Sequence, residues 1–290
     1  SLLRLAAGGA AAIIAGDNAT PDNIARIRAN LGLDRPLLEQ FGSWSLATLR
    51  GDLGVSMYSG IPVTTLVQQR MGPTFSLAIT TLIVAVTIAV TLGVLAAWKA
   101  GSLLDRAVMG LAVTGFSVPV FVVGYIMVYF VSLKWRWLPV QGYKPLADGF
   151  GLWLSHLVLP SFALGLAYVA LIARITRASM LEVLAEDYIR TASAKGVSTM
   201  PMLLRHALKN AAIPIVTVIG IGIALLISGV VITESVFNIP GIGRLVVDAI
   251  SRRDYPIIQG AMIIFAGVYV LINLAIDISY GFLDPRIRYN

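Results

Sequence analysis

Residues Thr74–Trp98 read TFSLAITTLIVAVTIAVTLGVLAAW and include no charged side chain. This run of 25 residues is longer than the ~20 that an α-helix needs to cross the hydrocarbon core of a bilayer. Lipid offers no hydrogen-bond partners, so a chain inside it must pair its own backbone groups, as a helix does. The stretch therefore predicts a membrane-spanning helix.

Four further stretches are apolar and free of charge. They are Ala107–Leu133, Leu157–Ala173, Ala211–Thr233 and Ile257–Ile276. Ser1–Gly16 is also apolar, but it is short and carries Arg4, so we interpret it as the end of a first membrane helix. The sequence thus predicts an all-α, polytopic membrane helix bundle with five full spans and a sixth, truncated at the N-terminus.

The composition agrees with a chain in contact with lipid. Hydrophobic residues make up 57% of the chain and charged residues 13%, with a mean hydropathy of +0.83. Soluble domains carry about 25% charged residues. No cysteine is present, which excludes thiol catalysis, Cys-based zinc sites and disulfides. The net charge of +7 favours anionic lipid headgroups over nucleic acid, because no basic tract with interleaved aromatic residues occurs.

The distribution of Lys and Arg predicts the orientation of the chain. Alternation of the spans places residues 99–106, 174–210 and 284–290 on one side of the membrane and the other loops opposite. The first set has the higher density of Lys and Arg, which favours the cytoplasmic side for it.

The polar segment before the fourth span contains the sequence EDYIRTASAKG, Glu186–Gly196. It predicts a short helix, a stop at Gly196 in the left-handed conformation, a second helix, and re-entry into the membrane at Ala211. Helical spacing places Leu181, Leu184, Tyr188 and Ala192 on one apolar face. From these residues alone, the partner of that face is the membrane surface, the rest of the chain or another protein.

This segment resembles the EAA loop in the permease subunits of type I ABC importers. Arg190-Thr191-Ala192 stands where that loop has Glu-Ala-Ala, Gly196 matches the family glycine, and Ile213-Pro214 remains of the downstream Ile-x-Leu-Pro. The acidic first residue of the motif is absent here. The form without it is the one that the peptide-importer branch tends to use.

Other short motifs resemble the dipeptide, oligopeptide, glutathione and nickel permeases, and most of all the first of two paired permeases. They follow in the same order over nearly the whole chain. They are residues 31–36 (LGLDRP), 51–56 (GDLGVS), 233–237 (TESVF), 240–244 (PGIGR), 253–256 (RDYP) and 284–288 (DPRIR).

The resemblance implies the organisation of the chain and its partners. Residues 1–73 would be the end of the first membrane helix and an external region, and residues 74–290 the transmembrane domain with a cytoplasmic coupling loop at 174–210. The partners implied are a second homologous permease, two ATPase subunits and an external substrate-binding protein, in a bacterial cytoplasmic (inner) membrane. In the coupling loop, the residues expected to contact an ATPase are Glu186, Tyr188, Arg190, Ala192, Lys195 and Gly196.

The resemblance further implies import of di- and oligopeptides, with glutathione and nickel as alternatives. A P-loop requires a Gly-Lys pair, and the sequence has none. This chain is therefore expected to be a non-catalytic subunit that binds no cofactor, with ATP and Mg on the partner subunits.

Two other classes of protein do not fit these features. A self-contained secondary transporter or channel would need midplane charges or an inverted repeat, and neither is evident. An intramembrane hydrolase would need a motif such as Gly-x-Ser-x-Gly, which does not occur around Ser117.

A few single residues carry further expectations. Ser117 and Pro119 interrupt a long uncharged stretch, and broken helices are tolerated best beside a water-filled cavity, so both are candidates for the translocation path. Glu234 and Asp277 lie near ends of predicted spans and are expected to reach water or headgroups.

Overall fold

The computed structural model describes residues 20–22, 24, 25, 34 and 36–283. The predicted end of a first membrane helix, Ser1–Gly16, and the motif at residues 284–288 lie outside this part of the chain. The described helices are α1 Leu37–Leu49, α2 Val63–Trp98, α3 Leu103–Ser117, α4 Val120–Lys134, α5 Phe150–Leu184, α6 Asp187–Ala194, α7 Thr199–Asn210, α8 Ala212–Val236, α9 Ile242–Arg252 and α10 Tyr255–Leu283.

The helices confirm the predicted all-α polytopic fold. By length and composition, α2, α5 and residues Tyr255–Ile278 of α10 can each cross a membrane. Two further pairs pass the same test as bent spans: α3 with α4, at an angle of 106°, and α7 with the first half of α8, at 65°. The total is up to five spans in the described residues when each bent pair counts as one.

Two helices, α2 and α5, extend furthest beyond the uncharged stretches that predicted them. α2 begins at Val63 instead of Thr74, and α5 runs from Phe150 to Leu184 instead of ending at Ala173. Lack of charge marks the part of a helix that lies in lipid, whereas the helix itself continues wherever its backbone is paired and one face is buried. In the extension of α5, Arg174 is exposed, while Thr176 and Met180 are buried.

The chain divides into two compact units. The smaller comprises residues 1–70 and 245–264, and the larger comprises residues 71–244 and 265–290. In the smaller unit, Asp254 is 2% exposed and accepts hydrogen bonds from the Ser56 hydroxyl (2.5 Å) and the Met57 N–H (3.2 Å). This buried carboxylate joins the loop before α2 to the turn between α9 and α10.

In the larger unit, α5 is the central helix. Its buried residues Leu157, Leu164 and Ile172 form one apolar cluster with side chains of α2 and α8. Small residues allow α8 to approach closely, since a Cβ atom at Gly229 would lie 2.5 Å from a methyl carbon of Leu164. Close helix contacts through small residues are typical of membrane bundles, where apolar burial alone gives no preference for helix contact over lipid.

Glu234, near the end of α8, does not reach water as expected from the sequence. Its side chain is fully buried and accepts hydrogen bonds from the Thr74 hydroxyl (2.6 Å) and the Arg244 N–H (2.9 Å). The prediction is wrong because the segment leading into α9 folds back over the helix end, a contact that the local sequence does not encode. Asp277 is exposed.

Candidate coupling site

The segment from Glu186 to Asn210 forms two helices, α6 and α7, separated by a glycine turn. α6 begins after Glu186, whose backbone is extended, and it ends at Lys195. Gly196 follows with φ +82°, its N–H donates to the Ser193 carbonyl (2.9 Å), and the Val197 N–H donates to the Ala192 carbonyl (3.2 Å). This pair of bonds is the Schellman motif, which pairs the last carbonyls of a helix. The left-handed conformation predicted at Gly196 is confirmed.

α6 is held by a single buried side chain. Ile189 is 4% exposed and lies in an apolar cluster with Met180 of α5, Leu203 and Ala207 of α7, and neighbouring residues of α2 and α8. Ile189 is not among the residues that the sequence pattern predicted to matter. The sequence offers one sign of its role. Ile189 is the one aliphatic side chain larger than alanine in Asp187–Ala194, so it is the natural residue of this helix to be buried.

The other side of α6 is accessible. Among the residues predicted to contact an ATPase, Glu186, Tyr188, Arg190, Lys195 and Gly196 are exposed and Ala192 is half-buried. The Arg190 guanidinium lies 3.7 Å from the Asp187 carboxylate, and both side chains are largely exposed, so the pair contributes little stability. Arg190 thus remains available to another surface.

The predicted apolar face from Leu181 to Ala192 is wrong as a continuous helical face. α5 ends at Leu184, and α6 starts after the turn at Ala185 and Glu186, so Leu181 and Leu184 belong to a different helix from Tyr188. Leu181 and Leu184 pack against the cluster that holds Ile189. The rest of the chain is therefore the partner of these apolar side chains.

The hydroxyl of Tyr188 has a defined environment. Desolvation raises the pKa of Tyr188 above its usual value, with a smaller lowering by a hydrogen bond to Asn210 and a raising by the Glu186 charge. A tyrosine is uncharged at neutral pH even at its usual pKa, so Tyr188 is a neutral hydrogen-bonding group on the exposed side of α6.

Ser117 and Pro119 lie at the sharp bend between α3 and α4. The helix axes turn by 106° there, Val118 is extended, and Pro119 precedes the first residue of α4. Both Ser117 and Pro119 are exposed, and the Ser117 hydroxyl donates to the Val113 carbonyl within its own helix (2.9 Å). The bend lies at the C-terminal end of α3, at the other end of that helix from Asp105.

The smaller unit contains an open pocket of about 230 Å³ with charges of both signs. Arg70, Asp248 and Arg252 line it, and the Arg252 guanidinium lies 4.2 Å from the centre of the Tyr58 ring. Throughout the described part of the chain, no group of three or more His, Asp and Glu side chains is placed to hold a metal ion.

These helices define a multi-pass α-helical membrane protein. Residues 89–289 match the family described as binding-protein-dependent transport system inner membrane component, and residues 2–78 match the N-terminal family of the same membrane component. The chain belongs to this family and is an inner-membrane permease of the ABC importer type. The resemblance seen in the EAA-like loop is thereby confirmed, and membership favours an importer over a self-contained secondary transporter.

Curated relatives extend over nearly the whole chain. The chain is 57% identical over 288 residues to the probable peptide ABC transporter permease protein y4tP of Sinorhizobium fredii, covering 99% of this chain and 92% of the relative. It is 41% identical over 302 residues to the dipeptide transport system permease protein DppB of Escherichia coli K12, covering 96% and 89%. A putative peptide transport system permease of Brucella abortus is 42% identical over 289 residues, covering 100% and 92%.

A solved structure shares the fold. The MetNI methionine ABC transporter, in an inward-facing conformation, has a chain that superposes with a TM-score of 0.63 at 17% identity, covering 76% of this chain and 96% of that one. At this identity the likeness concerns the arrangement of helices alone.

Proposed function

We propose that this chain forms half of the translocation pathway of an ATP-driven importer for di- and oligopeptides. The other half would be a second, homologous permease. Two ATPase subunits, carrying ATP and Mg, would supply the energy, and an external binding protein would deliver the peptide. The observation that carries the peptide assignment is the 57% identity, over 99% of this chain, to a relative named as a peptide permease.

The geometry of α6 supports the contact with an ATPase. This helix is anchored from behind by Ile189 and presents Tyr188, Arg190 and Lys195 on exposed positions. An interface that transmits force requires a rigid element, and the closed Schellman motif at Gly196 supplies a defined end to the helix. We assign the coupling role to Glu186, Tyr188, Arg190, Ala192, Lys195 and Gly196 on this basis.

The mixed charges of the pocket in the smaller unit suit a polar partner. Arg70, Asp248 and Arg252 are in no ion pair among the described residues, which leaves their charges available to a complementary surface. Charged groups at such a contact guide docking and its orientation more than they raise affinity. The external binding protein is the partner that we assign to this unit.

The test is uptake by the complete complex in liposomes. The chain is reconstituted with its second permease, ATPase subunits and binding protein, and is offered a radiolabelled mixture of di- to pentapeptides, with reduced glutathione and Ni²⁺ in parallel samples. We expect uptake of peptides that requires ATP and the binding protein. If only glutathione or Ni²⁺ is taken up in an ATP-dependent way, that compound and not a peptide is the substrate. Peptide uptake without the ATPase subunits would overturn the importer mechanism.

A further inference from the structure

A bidentate ion pair in the larger unit joins α3 to α5. The Arg177 guanidinium donates to both carboxylate oxygens of Asp105, at 2.5 Å from Nε and 2.7 Å from Nη2. Asp105 is 3% exposed and also accepts a hydrogen bond from the Gly101 N–H (2.9 Å). A bidentate pair of this kind fixes the distance and the orientation of the two elements that carry it.

The two partners lie at informative places in the chain. Asp105 is in the first turn of α3, where the Ser102 side chain also caps the helix by accepting the Asp105 N–H (3.3 Å). Arg177 is in the extension of α5, two turns before the helix ends at Leu184 and the chain turns into α6. The ion pair therefore holds the start of α3 to the extension of α5, which is the helical stem of the proposed coupling segment, Glu186–Asn210.

α2 is packed tightly against the same level of this stem. A Cβ atom at Gly93 would lie 2.6 Å from the Cβ of Thr176 and 2.8 Å from the Ala173 carbonyl oxygen. Thr176 is fully buried beside Arg177. With α2 in direct contact on one side and α3 held by the ion pair, the stem has little freedom to move independently of either helix.

The other end of α3 is the bend at Ser117 and Pro119. If α6 is displaced, the end of α5 would move with it, and the contact at Asp105 would pass this displacement to α3 and so to the bend. Only the Asp105 side of this ion pair is buried, and the desolvation of that carboxylate offsets part of the attraction, so the net stability gained from the pair is small. Geometric specificity is therefore the better account of this pair.

We infer that Asp105 and Arg177 are positioning residues, which form a brace transmitting movement of the coupling segment to α3 and its bend. The inference rests on the proposed function, since it requires that α6 contacts an ATPase. It predicts that loss of the pair uncouples the two activities: the complex still hydrolyses ATP, but less substrate is transported for each ATP.

The experiment uses the reconstituted complex and measures ATP hydrolysis and uptake of the radiolabelled peptide mixture in the same liposomes. Asp105→Asn and Arg177→Gln each remove one charge of the pair. We expect assembled complexes whose uptake per ATP falls about fivefold or more, the lower range of energetic coupling between sites. Arg136→Gln and Lys144→Gln are the matched controls, because both side chains are exposed, lie outside residues 174–210 and are in no ion pair among the described residues. They should keep the wild-type ratio.

A conservative variant separates positioning from folding. Arg177→Lys keeps the positive charge but cannot bind both carboxylate oxygens in the same fork. We expect it to assemble as the wild type does and to lose part of the uptake per ATP. Double substitution Asp105→Asn with Arg177→Gln removes both charges without leaving one unpaired, and should assemble yet remain uncoupled.

The outcomes distinguish this inference from the proposed function. If the wild-type complex does not couple ATP hydrolysis to uptake, the proposed function itself fails. If the wild type is coupled and the assembled Asp105 and Arg177 variants keep its ratio, the brace is overturned alone. Failure of all of these variants to assemble would show that the pair serves folding, which also overturns the inference.

Discussion

At the scale of single residues, backbone conformation decides the role of Gly196. Its φ of +82° lies in the left-handed region, which residues with a Cβ atom adopt at a cost. No side chain or backbone atom lies within 4 Å of the position that a Cβ would occupy, so space is not the constraint. The requirement for glycine here comes from the turn that ends α6 and sets the direction of the chain into α7.

We predict that substitutions at Gly196 impair transport without preventing membrane insertion. Alanine should cost about 1 kcal/mol and valine more, because a β-branched side chain is strained further in this conformation. Asparagine, which tolerates the left-handed region, should be mildest. Insertion should survive, since the strain falls on an exposed turn. Reconstituted Gly196→Val should then show lost ATPase contact or ATP hydrolysis that no longer drives uptake.

The control for this series is Gly151, near the start of α5. It is exposed, has no atom within 4 Å of its Cβ position, and does not have a positive φ. Gly151→Val should therefore transport as the wild type does. Wild-type uptake by Gly196→Val would remove the turn from the coupling mechanism.

At the scale of elements, the break between α3 and α4 is the main departure from a simple bundle. The stretch Ala107–Leu133 is long enough for one straight span, yet it turns by 106° at Val118 and Pro119. Proline lacks the N–H that would continue the helix, and it pushes the preceding residue out of the helical region. Backbone groups freed at a break inside a membrane need partners from protein or water. This requirement makes the bend a candidate for the wall of the pathway.

We predict that Ser117→Trp assembles normally and imports peptides poorly. The Ser117 side chain is exposed at the bend, so an indole would project into the space beside it without displacing a packed neighbour. Complex assembly would be measured by co-purification of the subunits, and import by uptake in liposomes. Phe116→Trp, at the exposed neighbouring position and with a smaller change in volume, is the control. Normal import by Ser117→Trp would exclude Ser117 from the path.

At the scale of the whole molecule, exposed apolar surface is the dominant property. Many large hydrophobic side chains are exposed. The clearest case is α10, where only 6% of the most apolar 18-residue stretch is buried. Val270 and Leu271 are each more than half exposed. Soluble proteins rarely expose contiguous apolar surface of this extent. Lipid is the environment that covers apolar surface of this kind, and in the proposed complex a second permease would cover part of it.

We predict an orientation in which the coupling segment is cytoplasmic and the region before α2 is external. Because the chain lacks cysteine, single cysteines at exposed serines report each side. A membrane-impermeant maleimide added to intact cells should label Ser43→Cys and Ser59→Cys but not Ser198→Cys. Ser56 is unsuitable, since it is 3% exposed and bonded to Asp254.

Permeabilised cells provide the control for this pattern. Ser198→Cys should become labelled once the membrane is opened, which shows that the thiol is reactive and that the membrane had protected it. Labelling of Ser198→Cys in intact cells, with protection of Ser43→Cys, would reverse the orientation and with it the coupling assignment.

Local properties of the sequence were sufficient for the membrane spans, the class of protein and the turn at Gly196. Apolar runs such as Thr74–Trp98 specify a span because their transfer from water to lipid depends on the residues themselves. The glycine after α6 specifies a helix end for the same reason, since conformational preference acts on a single residue. The spans and the helix end could be predicted, because each follows from the preferences of single residues or short runs.

The tertiary structure alone decided which residues meet across the fold. Asp105 and Arg177 form an ion pair although they are 72 positions apart in the sequence. The residues next to each of them in the sequence give no sign of this pairing. Glu234 is buried because a later segment folds over it, and Ile189 anchors α6 because α5 and α7 enclose it. Such contacts form only when segments that are distant in the sequence pack together. The stabilising free energy arises from the two residues in contact and cannot be assigned to either residue alone. For this reason local patterns predicted a short helix after Glu186, but only the folded chain showed what holds it.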